Sequence, residues 1–246
     1  MNEVLSVLNN HKSTRKYTSE DITDLQLETI IKAAQSGPTW GNSQQLSIVG
    51  VRDDSTRKKI AELTGGQHWI EEAPVFLSFN MDFYRISEAL KHNGQEFVAK
   101  DNVDTLLVGS TDVGIAMGFA IAAAESMGLG VVPIGAIRAR TVEIIELLGL
   151  PEYVFPIAGL VIGHPAEQTN VKPRLPYNSF FHQETYNTEQ LPYIEEYEKT
   201  YTEYLKHREN YLPTKTWTGG VAAYFAREQG LPKSSEVLKK QKFSYK

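Results

Sequence analysis

Cysteine is absent from the 246-residue sequence. Its absence excludes disulfide bonds, thiolate catalysis and zinc or iron–sulfur centres held by cysteine, so electron chemistry would require a bound organic cofactor. Positive charge is also scarce, because 25 Lys and Arg face 30 Asp and Glu and leave a net charge of −5. Such a surface as a whole attracts neither nucleic acid nor an anionic membrane, and any anion-binding site must be local.

Two kinds of apolar segment are missing as well. The first residues, Met1–Val4, show no basic stretch followed by an apolar one, so no secretory leader is expected. The most apolar run, Val113–Ala124, has 12 residues, whereas about 20 are needed to span a bilayer. We therefore predict a cytoplasmic protein with no membrane segment.

The histidines give no sign of a metal site. They are scattered, and none has an acidic or imidazole partner at ligand spacing on a shared helix, so we expect no bound metal. The residues considered are His68, His92, His164, His182 and His207. A dinucleotide fingerprint is likewise excluded, because Gly128-Leu129-Gly130 ends a predicted helix and enters a strand, which is the reverse of the required order.

What is present is an ordinary globular composition, with 41% hydrophobic and 22% charged residues. Hydrophobic periodicity predicts strands that alternate with helices. A capping box at Thr23 and Gln26 predicts a helix that ends near residue 37. The other predicted helices are Ser55–Leu63, 103–127 and Arg140–Leu148, and the predicted strands are Leu46–Val51, Val75–Phe79, Val131–Ile137 and Val154–Ile162.

The predicted helix 103–127 is apolar on most faces from Val113 onward, which is typical of a helix in a core or a subunit interface. After Pro176 the composition changes, because Tyr186–Tyr204 is rich in tyrosine and glutamate and has too few aliphatic residues for a core of its own. We predict a core over 1–176 and a C-terminal helical arm over 177–246, part of the same domain, that packs on the core or on a partner subunit.

Two short cationic clusters suit a phosphate monoester. The first is His11-Lys12-Ser13-Thr14-Arg15, and the second is Lys172-Pro173-Arg174. Arginine offers a fixed fork of donors and lysine a compact point charge. The alternatives are a polar surface loop for the first cluster and a solvated charge pair for the second.

Two glycine-containing segments suit a flat heterocycle. Gly65-Gly66 turns the chain before Gln67, whose amide both donates and accepts, and Ile134-Gly135-Ala136 lies in or at the end of a predicted strand. A small residue there lets a ring approach the backbone. A plain turn and a strand bulge are the alternatives.

Taken in order, these motifs resemble the flavin-dependent nitroreductases, in particular their NADPH-preferring nitroreductase and flavin-reductase branch. The resemblance covers most of the first 176 residues. It is carried by the segments His11–Tyr17, Pro38–Gln44, Leu63–Gln67, Ala124–Gly130, Ile134–Arg138, Gly163–Pro165 and Lys172–Pro176.

The resemblance implies an FMN cofactor. Around the phosphate it places His11, Lys12, Ser13, Lys172 and Arg174. Nearer the ribityl chain and the pyrimidine end it places Arg15, where a cation supports the charge of the reduced ring, and it places Gln67 at the pyrimidine edge. The backbone of Ile134, Gly135 and Ala136 faces N5, and Thr39, Asn42 and Ser43 contribute from the other subunit.

The chain departs from the family pattern at two places. Lys12 stands where arginine is usual, and Trp40-Gly41 stands where a serine pair is common. In the basic interval of the arm, the resemblance makes Arg208 and Lys215 candidates for the extra phosphate of NADPH, with a solvated helix end as the alternative.

The implied fold is α+β, a mixed, largely antiparallel sheet wrapped by helices, in a homodimer whose active sites lie between subunits. The implied function is a ping-pong transfer of hydride from NADPH to FMN and then to nitroaromatics, quinones or free flavin, with no titrating catalytic residue. Two alternatives are a dedicated flavin reductase that supplies reduced FMN and a non-catalytic flavin-binding protein.

Overall fold

A four-stranded antiparallel sheet forms the centre of the chain in the computed structural model, which describes residues 2–208, 212, 214–227 and 232–245. Its order is β1-β2-β4-β3, and all three neighbouring pairs are antiparallel. The predicted α+β class with a largely antiparallel sheet is confirmed. The strands are β1 (Leu46–Val51), β2 (Val75–Asp82), β3 (Gly130–Ile134) and β4 (Val154–Gly163).

The helices include the four predicted in the core, those of the predicted helical arm, and several short ones that the sequence analysis missed. In chain order they are α1 (Glu3–Asn9), α2 (Asp24–Gln35), α3 (Asp54–Leu63), α4 (Trp69–Glu72), α5 (Tyr84–His92), α6 (Val103–Ser126), α7 (Thr141–Leu148), α8 (Tyr177–Phe180), α9 (Leu191–Lys206), α10 (Trp217–Phe225) and α11 (Ser234–Lys240). Single 3-10 turns lie at Trp40–Asn42, Val98–Asp101 and Gly135–Arg138.

The central strand β2 is buried along its whole length, so its two faces support two apolar layers. Phe79 belongs to the layer that contains Ile30 of α2 and Val113 of α6. Phe76 belongs to the opposite layer, with Ile60 of α3 and other side chains. Full burial of such a side chain contributes about 2–3 kcal/mol, and four of the five residues of the predicted strand Val75–Phe79 are apolar, the exception being Ser78.

The predicted strand Val131–Ile137 is wrong at its C-terminal end. The strand β3 ends at Ile134, and Gly135–Arg138 turns back in a 3-10 turn in which the Ala139 N–H donates to the Ala136 carbonyl at 2.9 Å. The apolar pattern misleads here because Ile137 is fully buried although it lies in the turn. The turn places Gly135 directly at the end of the strand.

The long helix α6 has 24 residues, of which Val113–Ala124 is only the second half. By length and hydropathy it could cross a membrane, and about 33% of its most apolar window is buried within the chain. The core helices of soluble proteins meet the same criterion, so the expected absence of a membrane segment stays a prediction. Gly109 lets it approach β2, because a Cβ at this position would lie 2.4 Å from Cγ of Met81.

The chain divides into two compact units, Met1–Thr169 together with Lys233–Lys246, and Asn170–Pro232. Within the first unit, Phe243 is fully buried and the Tyr153 N–H donates to the Gln241 carbonyl at 3.0 Å. The segment after residue 232 thus extends the core of the sheet unit. The boundary predicted at residue 176 stays a prediction.

The second unit contains α8, α9 and α10, in agreement with the helical character predicted for the arm. Tyr197 of α9 is buried and donates its hydroxyl to the Pro173 carbonyl at 2.8 Å. Glu198 accepts hydrogen bonds from the backbone N–H groups of Trp217 (2.7 Å) and Thr218 (3.0 Å) at the start of α10. Burial raises the pKa of Glu198, but these hydrogen bonds outweigh it and hold the pKa below its usual value.

Candidate active site

The cationic segment that starts at His11 lies alongside β3. Ser13 forms a parallel bridge with Val131, and the Thr14 N–H donates to the Val131 carbonyl at 2.9 Å. Further on, Tyr17 forms an antiparallel bridge with Pro165. Because the first bridge is parallel, the chain advances from Ser13 to Arg15 in the direction in which β3 runs towards Gly135.

The close approach of this segment depends on Gly130. A Cβ at this position would lie 2.6 Å from Oγ1 of Thr14 and 2.8 Å from its Cβ and Cγ2. Thr14 is itself only 4% exposed and branched at Cβ, so it has little room to yield. Gly130, which begins β3, thus allows the two backbones to approach each other closely.

His11 is paired with Glu125, the next-to-last residue of α6. His11 Nδ1 and Glu125 Oε1 are 2.8 Å apart, and both side chains are partly buried. The carboxylate fixes the imidazole so that Nδ1 carries hydrogen and Nε2 is turned away from the pair. Lys12 and Glu125 also line a cleft of about 240 Å³ next to Gly130.

Arg15 stacks on an aromatic ring. Its guanidinium carbon lies 5.7 Å from the centroid of the Trp69 ring, within the range of a cation–π interaction. Nearby, the Tyr17 hydroxyl donates to the Thr14 carbonyl at 2.8 Å. Burial raises the pKa of Tyr17, the charge of Arg15 opposes this shift and that of Glu167 adds to it, so the phenol stays protonated near neutral pH.

Gln67 is presented by two left-handed glycines, Gly65 (φ 91°) and Gly66 (φ 77°). These φ values favour glycine over residues with a side chain. The Gln67 amide donates from Nε2 to the Thr64 carbonyl at 2.8 Å. Within the described residues no donor reaches its Oε1, which therefore remains able to accept a hydrogen bond.

Gly135 faces open space, since no heavy atom lies within 4 Å of where its Cβ would be. Its neighbour Ile134 is 1% exposed and packs in the layer of Phe76, and Ala136 packs against the same layer. Their side chains therefore point into the core. Only the backbone at this position is able to meet a ligand.

The loop that contains Thr39, Asn42 and Ser43 has three residues in the left-handed region, Gly41 (φ 57°), Asn42 (φ 55°) and Gln44 (φ 52°). The Ser43 hydroxyl donates to the Trp40 carbonyl at 2.6 Å. Thr39 Oγ1 accepts from the Gln44 N–H at 3.2 Å. The loop thus has a defined internal structure.

The remaining predicted site residues belong to the second unit. They are Lys172, Arg174, Arg208 and Lys215. Arg208 stacks over the ring of Tyr204, with 5.8 Å between the guanidinium carbon and the ring centroid, and donates to its hydroxyl at 3.2 Å. The predicted roles of these four cations stay predictions.

The structure adds residues that the sequence analysis overlooked. Glu125 and Trp69 each contact a predicted site residue; Glu125 lies inside the segment Ala124–Gly130, and Trp69 follows Leu63–Gln67 by two residues. Asp112 and Gln45 hold the loop after α2 and are far apart in sequence, so no local pattern identifies them. Among the described residues, no three His, Asp or Glu side chains converge as a metal site.

Known proteins share this arrangement over the whole chain. The Nitroreductase family profile matches residues 8–164, and the profile of the family's C-terminal domain matches residues 172–246. An FMN reductase (NAD(P)H) of Bacillus subtilis (strain 168) is 47% identical over 246 residues, covering 99% of this chain and 98% of the relative.

Solved structures agree with this assignment. NfrA2 of B. megaterium superimposes with a TM-score of 0.97 at 43% identity, and the NADPH:FMN oxidoreductase of Vibrio harveyi, solved with NAD+, superimposes with a TM-score of 0.90 at 33% identity. Each comparison covers 100% of both chains. With its glycine-dependent cationic segment beside β3 and this likeness from end to end, the chain belongs to the nitroreductase family.

Proposed function

We propose that this protein transfers hydride from NADPH through FMN to small-molecule electron acceptors in a ping-pong cycle. The observation that carries the proposal is the cationic segment of His11–Arg15, fixed beside β3 and advancing towards the open position at Gly135. The names of the relatives from Bacillus subtilis and Vibrio harveyi support the same cofactor and donor.

The residues of the first unit fit FMN by their donor chemistry. Lys12 offers donors to a phosphate, as does Nε2 of the paired His11 when both ring nitrogens carry hydrogen, and Arg15 offers a fixed cation. The Oε1 of Gln67 is able to accept from an imide N–H, and the open space at Gly135 leaves room for a flat ring. When bound, the flavin supplies the hydride chemistry.

Each protein group then has a limited task. Glu125 orients His11, so that Nε2 is directed at the anion, and Lys12 contributes a compact point charge. Arg15, held by Trp69, stabilises negative charge at the pyrimidine end. Tyr17 stays protonated because burial raises its pKa, so near neutral pH its phenol donates a hydrogen bond and does not act as a base.

The sequence-based assignments outside this set complete the proposal. Thr39, Asn42 and Ser43 contact the flavin from the second subunit, and Arg208 or Lys215 binds the extra phosphate of NADPH. Support for the last assignment is that Arg208 is already fixed by stacking on Tyr204. Lys172 and Arg174 keep their assignment to the FMN phosphate.

A homodimer explains an apolar groove of about 850 Å³ along α1 and α6. Val4 is 65% exposed, Leu8 52% and Phe119 44%, an unusual cluster for a surface left in water. Gly114 and Gly118 have no atom within 4 Å of their Cβ positions and allow close approach of a second helix. We propose that two α6 helices meet here, in a cytoplasmic protein.

Replacing Phe119 with glutamate tests the dimer. A buried, unpaired charge at the centre of the groove is expected to dissociate the dimer into monomers, as measured by light scattering after gel filtration. Leu25→Glu is the matched control, because Leu25 is 73% exposed on α2 and does not line the groove. A wild-type protein that elutes as one chain with full activity contradicts the proposal.

The acceptor is tested by steady-state rates with NADPH and with a nitrofuran, a quinone or free FMN in turn. Because the Bacillus subtilis relative is named an FMN reductase, turnover with free FMN is expected to be substantial. A large preference for free FMN would favour a dedicated flavin reductase. Protein that binds FMN but oxidises NADPH with none of these acceptors would instead be a flavin-binding protein and would overturn the proposal.

A further inference from the structure

Asp112 is a buried carboxylate in the middle of α6. It is 4% exposed, and within the described residues it forms no ion pair with a lysine, arginine or histidine. A carboxylate that is removed from water without a counter-ion is costly unless hydrogen bonds compensate. Its burial on the inner face of α6 therefore calls for a specific partner.

That partner is the loop of residues 39–45. Asp112 Oδ2 accepts from the backbone N–H of Trp40 at 3.1 Å and from Nε2 of Gln45 at 2.5 Å. Gln45 is 1% exposed, and its Oε1 lies within hydrogen-bonding distance of Ser43 Oγ, whose single hydrogen is shared between this oxygen and the Trp40 carbonyl. The Gln45 amide thus connects the carboxylate of α6 to the hydroxyl of Ser43.

The same loop is held from its other side by Arg85. The Arg85 guanidinium donates to the carbonyls of Gln44, at 2.9 Å, and Leu46. Between these two anchors Asn42 and Gln44 adopt left-handed φ angles of 55° and 52°, which residues with side chains rarely occupy without support. The hydrogen bonds to Asp112 and to Arg85 connect this exposed loop to α6 and to α5.

We propose that Asp112, acting through Gln45 and the Trp40 amide, is a positioning residue that presents Thr39, Asn42 and Ser43 to the flavin. This inference rests on the proposed function for its consequence in FMN binding. The conformation of the loop itself does not depend on a bound cofactor and is measurable without one.

Hydrogen–deuterium exchange of the protein without FMN tests the geometry first. In Asp112→Ala the Trp40 amide is expected to exchange at least tenfold faster than in the wild type, because its acceptor is gone. Asp112→Asn keeps one oxygen in the position of Oδ2 and is expected to restore most of the protection. Asp104→Ala, on the exposed first turn of α6, is the matched control and should leave the loop unchanged.

FMN titration and steady-state kinetics test the consequence. Asp112→Ala is expected to raise the dissociation constant of FMN about tenfold, which corresponds to the loss of roughly one hydrogen bond. It is also expected to alter the fluorescence of bound flavin. Asp112→Asn is expected to be close to the wild type in both measurements. Gln45→Leu, which leaves the Trp40 bond in place, should show a smaller change of the same kind.

Unchanged exchange at Trp40 in Asp112→Ala overturns the inference. Unaltered FMN affinity in a variant whose loop exchanges faster also overturns it. The same holds if the Ala and Asn variants show equal decreases in melting temperature and in FMN affinity, because that result would indicate a general role in folding. If the wild-type protein binds no FMN, the proposed function is wrong. The hydrogen–deuterium exchange of the Trp40 amide still tests the role of Asp112 in the loop in that case.

Discussion

Replacing Gly130 with alanine is expected to displace the cationic segment and to lower kcat/KM with NADPH on the order of a hundredfold. The new Cβ would lie 2.6 to 2.8 Å from three atoms of Thr14. Overpacking of this kind costs about 1–3 kcal/mol if nothing moves, so the segment is expected to shift away from β3 instead. The measurements are FMN affinity, kcat/KM and thermal unfolding.

Two comparisons make the result specific. Gly50→Ala places the same methyl group on β1, where its nearest neighbour is Cδ2 of Leu77 at an ordinary 3.4 Å, and should be close to wild type. Adding Thr14→Gly to Gly130→Ala removes the overlapping atoms and should recover part of the FMN affinity. A Gly130→Ala variant that holds FMN as tightly as the wild type would show that the segment does not form the site.

The second large effect is expected for Arg15→Ala, which should slow flavin reduction by NADPH by about 10²- to 10³-fold while FMN stays bound. The guanidinium stabilises charge that develops during hydride transfer, and removal of one such donor from an active site typically has this effect. Anaerobic stopped-flow reduction and the flavin content of the purified protein are the two measurements.

Arg15→Lys separates charge from geometry. Lysine keeps the charge but loses the planar fork that stacks on Trp69, so an intermediate rate is expected. Loss of FMN from Arg15→Ala to the same extent as from Gly130→Ala would mean that Arg15 binds the phosphate rather than the ring. An unchanged rate of flavin reduction in Arg15→Ala would show that Arg15 does not contribute to hydride transfer.

The sheet and the long helices were predictable because their signals are local. The capping box of Thr23 and Gln26 forms with both of its hydrogen bonds. The strand β1 begins and ends where its apolar run predicts. Residues such as these are specified by neighbours within a few positions, and so their structure follows from the sequence alone.

The end of β3 and the anchors of the site were not predictable in this way. Ile137 continues an apolar run, yet it is buried by a turn, because burial does not distinguish a strand from a turn that folds back. Gln45 and Asp112 meet across 67 residues, and His11 and Glu125 across 114. Contacts at such separations exist only once the fold is formed.

The most direct test of the central claim is to mix the FMN-loaded protein with NADPH in the absence of oxygen and acceptor. We expect rapid loss of the visible absorbance of oxidised flavin, followed by its return when a quinone is added, so that reduction and reoxidation of the protein occur in separate steps. Flavin absorbance that stays unchanged after NADPH is added to protein with a full FMN content would contradict it.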